Sequence, residues 1–408
     1  MREIDVAIVG DIAWNHDITP QRKAKSPGGA AYYSAVGAAR FSTDVGVVAK
    51  VGEDFDLNLL RRRQLDTMGV AVVPGQPTCE FVITQFSDNS RTFQANRGVS
   101  ETVDTGIFPS SYLSARYVHL PTQLPEHSLA WLDFLKSHDS VSVDSFEAFV
   151  KQSPGLTLEM FRQASLIFTN EAEIQMLRQF GEVTVNKPMI IKRGSEGACY
   201  IDGTNTIMVP APKVRAVETT GAGDVLAGAY LALRAQSVPI ESALEQAAQT
   251  ASLSVTEFGV EHIPTREFMH KKPELITAIL IVNEKGQVFL GRAPKFNNAL
   301  IAPGGHFNDG ETPEECATRE AKEEIGVNVT DLKFLKTHEA FTPEYKGRGA
   351  RFICHNFSAR ITDSNITLAR DEYSDYIFIE PKKALDLPDL HPTARKIIEY
   401  YLETSSRI

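Results

Sequence analysis

Three glutamates near residue 320 carry the clearest chemistry in this 408-residue chain. The stretch Arg319-Glu-Ala-Lys-Glu-Glu-Ile-Gly-Val327 sets Glu320, Glu323 and Glu324 at i, i+3 and i+4. On a helix that spacing gathers the carboxylates on one face, where like charges repel by a few tenths of a kcal/mol per pair. A divalent cation reverses that penalty, and octahedral magnesium, shared with substrate phosphate oxygens, suits the set best. The helix is preceded by a glycine loop ending in an acid, Gly305-His-Phe-Asn-Asp-Gly-Glu311. Thr312-Pro313-Glu314-Glu315 is a helix start, and Gly326 is a helix stop. A solvated acidic face accounts for the glutamates alone. It does not account for loop glycine, Glu311, Arg319 and terminal glycine together.

A second constellation, Glu218-Thr-Thr-Gly-Ala-Gly-Asp224, opens a helix of small and apolar residues. Gly221 and Gly223 leave amides bare at a helix N-terminus, where free donors and the helix dipole favour an anion. Asp224, in the first turn beside that cradle, is placed to take a proton from a hydroxyl attacking phosphorus. A capped glycine loop is the plain alternative. Two weaker features accompany it. Ser26-Pro-Gly-Gly-Ala-Ala-Tyr-Tyr-Ser34 reads as the opening of a small-residue helix that a ligand can approach. Asn170-Glu-Ala-Glu173 sets an amide and a carboxylate one turn apart, suited either to hydrated magnesium or to ordinary helix capping.

The elements that must position these residues differ between the two parts of the chain. Up to about residue 270, short apolar runs at 4–9, 45–51, 117–120, 141–143, 166–168 and 189–191 alternate with helical stretches such as 30–41 and 57–68. That alternation predicts an α/β fold with a largely parallel sheet, its active residues at the carboxyl ends of strands. Residues 80–95 break the pattern and read as a hairpin turning at Ser87-Asp88-Asn89-Ser90. Arg61-Arg62-Arg63 reads as a solvated helix face. After a helical stretch at 240–256, Pro264, Pro273 and His270-Lys271-Lys272 interrupt the periodicity, and a new strand pattern begins at 275–282. The expected domains are therefore 1–270 and 274–408.

Composition narrows the class of protein. The chain is 42% hydrophobic and 23% charged, which excludes pervasive disorder. A net charge of −10 argues against nucleic-acid binding, and the split of −8 before residue 271 and −2 after it leaves neither part basic. No apolar run is long enough to span a membrane, and no signal peptide is evident. Cys79, Cys199, Cys316 and Cys354 lie far apart, with no metal-type spacing. A cytoplasmic enzyme acting on small molecules is the expectation, with a homodimer as the candidate assembly.

The first part resembles the PfkB/ribokinase family of carbohydrate and nucleoside kinases over about residues 1–266. The resemblance rests on Gly28-Gly29, Asn170 with Glu173, the turn Ile191-Lys-Arg-Gly-Ser-Glu-Gly197 and the signature ending at Asp224. It implies an α/β sandwich built on a nine-stranded type of sheet, with a small β lid that the 80–95 hairpin supplies. It also implies ATP as donor, Asp224 as base, and Gly221, Ala222 and Gly223 as the anion hole. Asn170 and Glu173 would act through magnesium. The sequence departs from the family at Glu218, where aspartate is usual, and at Tyr33, where asparagine is common. For the aspartate that grips substrate hydroxyls it offers Asn15, Asp17 or Asp11, beside Gly28 and Gly29.

The second part is similar to the Nudix box over about residues 274–408, with Ala321 at a position where a larger aliphatic residue is typical. This implies an α/β/α mixed-sheet domain that hydrolyses a nucleoside diphosphate linked to another group, using magnesium or manganese. Glu320, Glu323, Glu324 and the Gly305 carbonyl would be metal ligands, with Glu323 or Glu324 also a candidate base. Glu311 and Arg319 would orient the helix. Glu372 is the candidate downstream base, Glu344 its alternative. The resulting expectation is a bifunctional enzyme. The rival is a ligand-sensing or regulatory protein with one catalytically active domain.

Overall fold

The computed structural model describes residues 3–18, 23–85, 91–181, 183, 186–203, 205–345, 348–362 and 365–405. The chain divides into two compact units, Met1–His270 and Lys271–Ile408. No helix among the described residues is long and apolar enough to cross a membrane.

In chain order the strands of the first unit are β1 (Val6–Val9), β2 (Ala13–Ile18), β3 (Lys23–Gly28), β4 (Val45–Gly52), β5 (Asp66–Val73), β6 (Cys79–Gln85), β7 (Arg91–Asn96), β8 (Tyr117–Leu120), β9 (Val141–Asp144), β10 (Leu166–Asn170), β11 (Met189–Lys192), β12 (Ala198–Asp202) and β13 (Asn205–Val209). Nine of them form one sheet in the order β13-β12-β11-β10-β9-β8-β1-β4-β5. From β11 to β5 its pairings are parallel, while β12 and β13 complete it antiparallel. Central strands such as β1 are buried throughout, which explains their near-continuous apolar sequence. One apolar layer packs the helices Ala30–Ala39 and Ala222–Ala235 on one face, and a second layer built around Trp131, Phe161 and Leu177 covers the other.

Small residues let the two packed helices meet closely. A Cβ at Gly37 would overlap the Val225 carbonyl, and one at Gly228 the Ser34 carbonyl. The helix that carries Asp224 is thereby held rigidly against its neighbour.

The lid is larger than a lone hairpin. The strands β3-β2-β6-β7 form a separate four-stranded sheet, with β2 and β6 parallel. The stretch around Asn15 is strand, and Ser26-Pro-Gly28, read as part of a helix opening, belongs to β3, with the helix beginning at Ala30. The turn expected at 87–90 lies outside the described residues. The helix expected at 57–68 is only Asn58–Arg61, because β5 starts at Asp66. Arg63 is not solvated: it is 6% exposed and donates to the Ile263 carbonyl at 2.6 Å and the Val260 carbonyl at 3.0 Å.

The second unit contains β14 (Glu274–Val282), β15 (Val288–Ala293), β16 (Ala299–Ile301), β17 (Thr330–Tyr345), β18 (Arg348–Arg360) and β19 (Asp375–Ile379). They form a mixed six-stranded sheet in which β14 and β18 are parallel and the other pairings antiparallel. The helix Pro313–Ile325 buries Ala317, Ala321 and Ile325 with one apolar cluster; the helix Pro392–Ser405 buries Ile397 and Ile398 with the other. Ala321 is fully buried, so its small side chain serves close packing.

Candidate active sites

In the first unit three strands end side by side. Register pairs Phe168 with Asp144 and Asn170 with Lys192, which brings the carboxyl ends of β9, β10 and β11 together. Lys192 Nζ donates to both Asp144 oxygens, at 2.6 and 2.8 Å. The Asp144 side chain is fully buried, and that of Lys192 is 17% exposed. Burial works against the Lys192 charge, yet Asp144, Asp224 and Glu173 together hold its pKa above the usual lysine value.

The glycine signature lies directly over this pair. Glu218 accepts from the Thr220 amide at 2.5 Å, and Gly221 caps the helix Ala222–Ala235 in the left-handed region at φ 75°. A side chain at Gly221 would overlap the Tyr33 ring, so the loop rests on that aromatic face. At Gly223 a Cβ would stand 3.0 Å from Lys192 Cδ and 3.1 Å from Nζ. Asp224 follows in the first turn, where the opening amides of a helix have no intrahelical acceptor. Its Oδ1 is buried without a partner. Burial, reinforced by the Asp144 charge and opposed by Lys192, pushes the Asp224 pKa well above the carboxylate range.

Asn170 and Glu173 form a complete capping box. Asn170 Nδ2 donates to Glu173 Oε1 at 2.6 Å, while Glu173 Oε2 accepts from Ser145 Oγ at 2.6 Å and Thr169 Oγ1 at 3.0 Å. Glu173 is 2% exposed, and the capping alternative is realised.

Toward the lid, Asn15 Nδ2 donates to Tyr33 Oη at 2.7 Å, and Asn15 Oδ1 is buried without a partner. Gly28 makes room for the Asn15 amide, and Gly29, at φ 89°, for the Asp11 carbonyl. Tyr33 thus touches both Asn15 and the signature loop. Burial raises the Asp11 pKa against the opposing pull of Arg97 and Ser100. The Asp17 side chain lies outside the described residues.

In the second unit Arg319 is the hub. Its Nε and Nη2 grip Glu311 at 2.7 and 2.9 Å, while Nη1 reaches Glu320 at 2.7 Å and Glu323 at 2.9 Å. The Arg319 hydrogen bonds hold the Glu311 pKa well below its usual value. Thr312 and Glu315 form the capping box of the helix, and Gly326 ends it at φ 73°. A Cβ at Gly305 would displace the Glu320 carboxylate, so glycine here leaves that carboxylate its place beside Arg319. The Gly305 carbonyl accepts from the Thr277 amide at 2.9 Å and more weakly from Cys316 Sγ at 3.9 Å.

Glu324 is 7% exposed and accepts from Tyr373 Oη at 2.8 Å and the Gly304 amide at 3.1 Å. Burial pushes its pKa up to about 7 against those two hydrogen bonds, with Glu320 and Glu372 adding to the rise. Burial raises Glu320 as well, opposed by Arg319. Glu372 pairs with Lys295 and lies near enough to act on Glu324. The Glu344 side chain is outside the described residues.

Among the described residues no three His, Cys, Asp or Glu side chains already converge as a metal site. The donors nevertheless fit a hard cation. Glu320 and Glu324 are carboxylates whose proton affinity is raised by burial, at Glu320 against the pull of Arg319, and such oxygens suit a hard cation.

A pfkB family carbohydrate kinase model matches residues 6–266. The chain belongs to that family. A NUDIX domain model matches residues 272–401, so a kinase domain and a Nudix hydrolase domain are fused in one bifunctional enzyme. The pfkB part is 28% identical over 274 residues to a cytidine kinase of Thermococcus kodakarensis, covering 63% of this chain and 98% of that one. It is 28% identical over 263 residues to an ATP-dependent ribose-1-phosphate kinase of Halopiger xanaduensis, covering 60% of this chain and 85% of that one. The Nudix part is 27% identical over 140 residues to the NAD-capped RNA hydrolase NudC of Pseudomonas aeruginosa, covering 34% of this chain but only 48% of that one. Among solved structures, the Methanocaldococcus jannaschii nucleoside kinase superposes with a TM-score of 0.58 at 20% identity, covering 65% of this chain and 97% of that one. That likeness establishes the ribokinase fold.

Sequence reasoning passed over three residues that the fold brings to these sites. Asp144 and Lys192 stand at strand ends, where the α/β rule directs attention. Tyr373 sits in the stretch already singled out for Glu372. Each was visible as a position, but its partner is 48 or 49 residues away.

Proposed function

We propose that the first unit, residues 1–270, transfers the γ-phosphoryl group of ATP to a sugar or nucleoside hydroxyl. We propose that the second, residues 274–408, hydrolyses a nucleoside diphosphate linked to another group, such as ADP-ribose or a nucleotide sugar. The carrying observation is Asp224: a carboxylate whose Oδ1 is buried without a partner, in the first turn of the helix Ala222–Ala235. In this reading the acceptor oxygen bonds to phosphorus, its proton passes to Asp224, and ADP leaves with the electron pair of the broken P–O bond. The amides at Gly221, Ala222 and Gly223 receive the charge on the phosphoryl oxygens. Asn15, whose Oδ1 is unpartnered, is the first candidate to grip the acceptor, with Asp17 or Asp11 as alternatives beside Gly28 and Gly29. Asn170 and Glu173 orient the water around magnesium.

In the Nudix unit, bound magnesium or manganese supplies Lewis acidity and an activated water. Glu320, Glu323 and Glu324 would hold it with the Gly305 carbonyl, Arg319 and Glu311 would fix the helix, and Glu372 or one of the glutamates would take the proton. The names of the cytidine and ribose-1-phosphate kinase relatives support the sugar-or-nucleoside reading. The net charge of −10 supports small-molecule substrates. We place the protein in the cytoplasm.

The test is a magnesium-dependent assay of the full chain. ATP is offered with a panel of sugars and nucleosides; ADP-ribose, dinucleotides and nucleotide sugars are offered alone. Turnover in both halves is expected. Silence of either half across its panel makes that half a binding domain, as the regulatory reading requires.

A further inference from the structure

Among the described residues, Lys192 is a cation beside the glycine cradle with a donor to spare. Its ammonium has three N–H donors, and two are taken by Asp144. The third meets no acceptor among the described residues. The Asp144 carboxylate is fully buried and holds the ammonium from below. On its other side the ammonium presses against Gly223, whose missing Cβ leaves the space. Asp224 lies near enough for its charge to act on Lys192, and its Oδ1 is buried without a partner. An unspent donor and an unspent acceptor therefore flank one small-residue turn at a helix N-terminus. No hydrogen bond joins the two, although each charge favours the other.

We propose that Lys192 is a catalytic residue that donates its third N–H to the transferring phosphoryl group, with Asp144 as the positioning residue that aims it. This rests on the kinase reading of the first unit. The chemistry is that of a cation placed where negative charge spreads over equatorial phosphoryl oxygens while the bond to ADP breaks. The ammonium keeps its proton throughout, and the acceptor proton still goes to Asp224. Gly223 is then constrained twice, because its amide lines the cradle and its bare Cα lets the lysine reach it. His119 and Ser142 lie below on β8 and β9, joined at 2.9 Å. Burial, with the Lys192 charge adding, lowers the His119 pKa to about 3, so that layer contributes no competing positive charge.

The experiment is steady-state phosphoryl transfer by the full chain carrying Lys192→Met, with Lys192→Met/Asp144→Asn as the second variant. The double variant removes both buried charges and so avoids the folding cost of a single unpaired one. Thermal melting and ADP binding confirm that each protein is folded. The expected result is a fall in kcat of about 10²–10³-fold in the double variant, the size seen for loss of one transition-state donor. The KM for the acceptor should move little, and Lys192→Arg should restore part of kcat. A purely structural ion pair would instead leave kcat within about threefold in a folded double variant, overturning the assignment. Absence of turnover in the unmodified chain would overturn the kinase reading itself, a separate outcome read in the same assay.

Discussion

Glu324 gives the Nudix half a sharp pH signature. With its pKa near 7 in the metal-free protein, the carboxyl is roughly 9% ionised at pH 6 and roughly 91% at pH 8. A metal ligand must be ionised, so apparent Mn²⁺ affinity should rise about tenfold from pH 6 to pH 8, levelling off above it. Stability should run the other way without metal. The folded protein holds this proton more tightly than an unfolded chain, whose glutamate sits at the ordinary 4.5. That contribution is complete below 4.5 and is lost as pH rises through about 7, at a rate approaching 1.4 kcal/mol per pH unit. Manganese titration calorimetry at pH 6, 7 and 8, paired with denaturant melts in chelator, measures both. Tyr373→Phe removes a hydrogen bond that favours the ionised form, so it should shift the affinity curve to higher pH. Affinity that is flat between pH 6 and 8, or a Tyr373→Phe curve shifted downward, would refute the argument.

Two further substitutions probe the scaffolds. Gly305→Ala pushes the Glu320 carboxylate from its place, so about tenfold weaker manganese binding with little change in melting is expected by calorimetry and melts. Arg63→Met strands the Val260 and Ile263 carbonyls, and the unfolding transition of the kinase unit should lose about 2–4 kcal/mol in urea.

The sequence pattern carried far where chemistry and local periodicity coincide. The Nudix helix was legible from cap to cap, because Thr312, Pro313 and Gly326 encode its ends locally. The strands ending at Leu120 and Lys192 were legible as short apolar runs. The lid was not. Ala13–Ile18 and Lys23–Gly28 mix polar, charged and glycine residues, and pairing with each other and with β6 makes them strands. Arg63 misled because an arginine triplet reads as surface, whereas its burial depends on carbonyls some 200 residues away. The same distance hid the Lys192–Asp144 pair. Glu173 illustrates the opposite limit: its spacing from Asn170 fitted two chemistries, and the capping box met one of them.

One chain with two separate catalytic centres is the central claim, and Asp224→Asn and Glu324→Gln in the full-length protein address it directly. Both variants are assayed for phosphoryl transfer and for diphosphate hydrolysis under the same magnesium conditions. Asp224→Asn should abolish transfer and leave hydrolysis intact, and Glu324→Gln should do the reverse. Persistent transfer in Asp224→Asn, or joint loss of both activities from either change in a folded protein, would contradict the account.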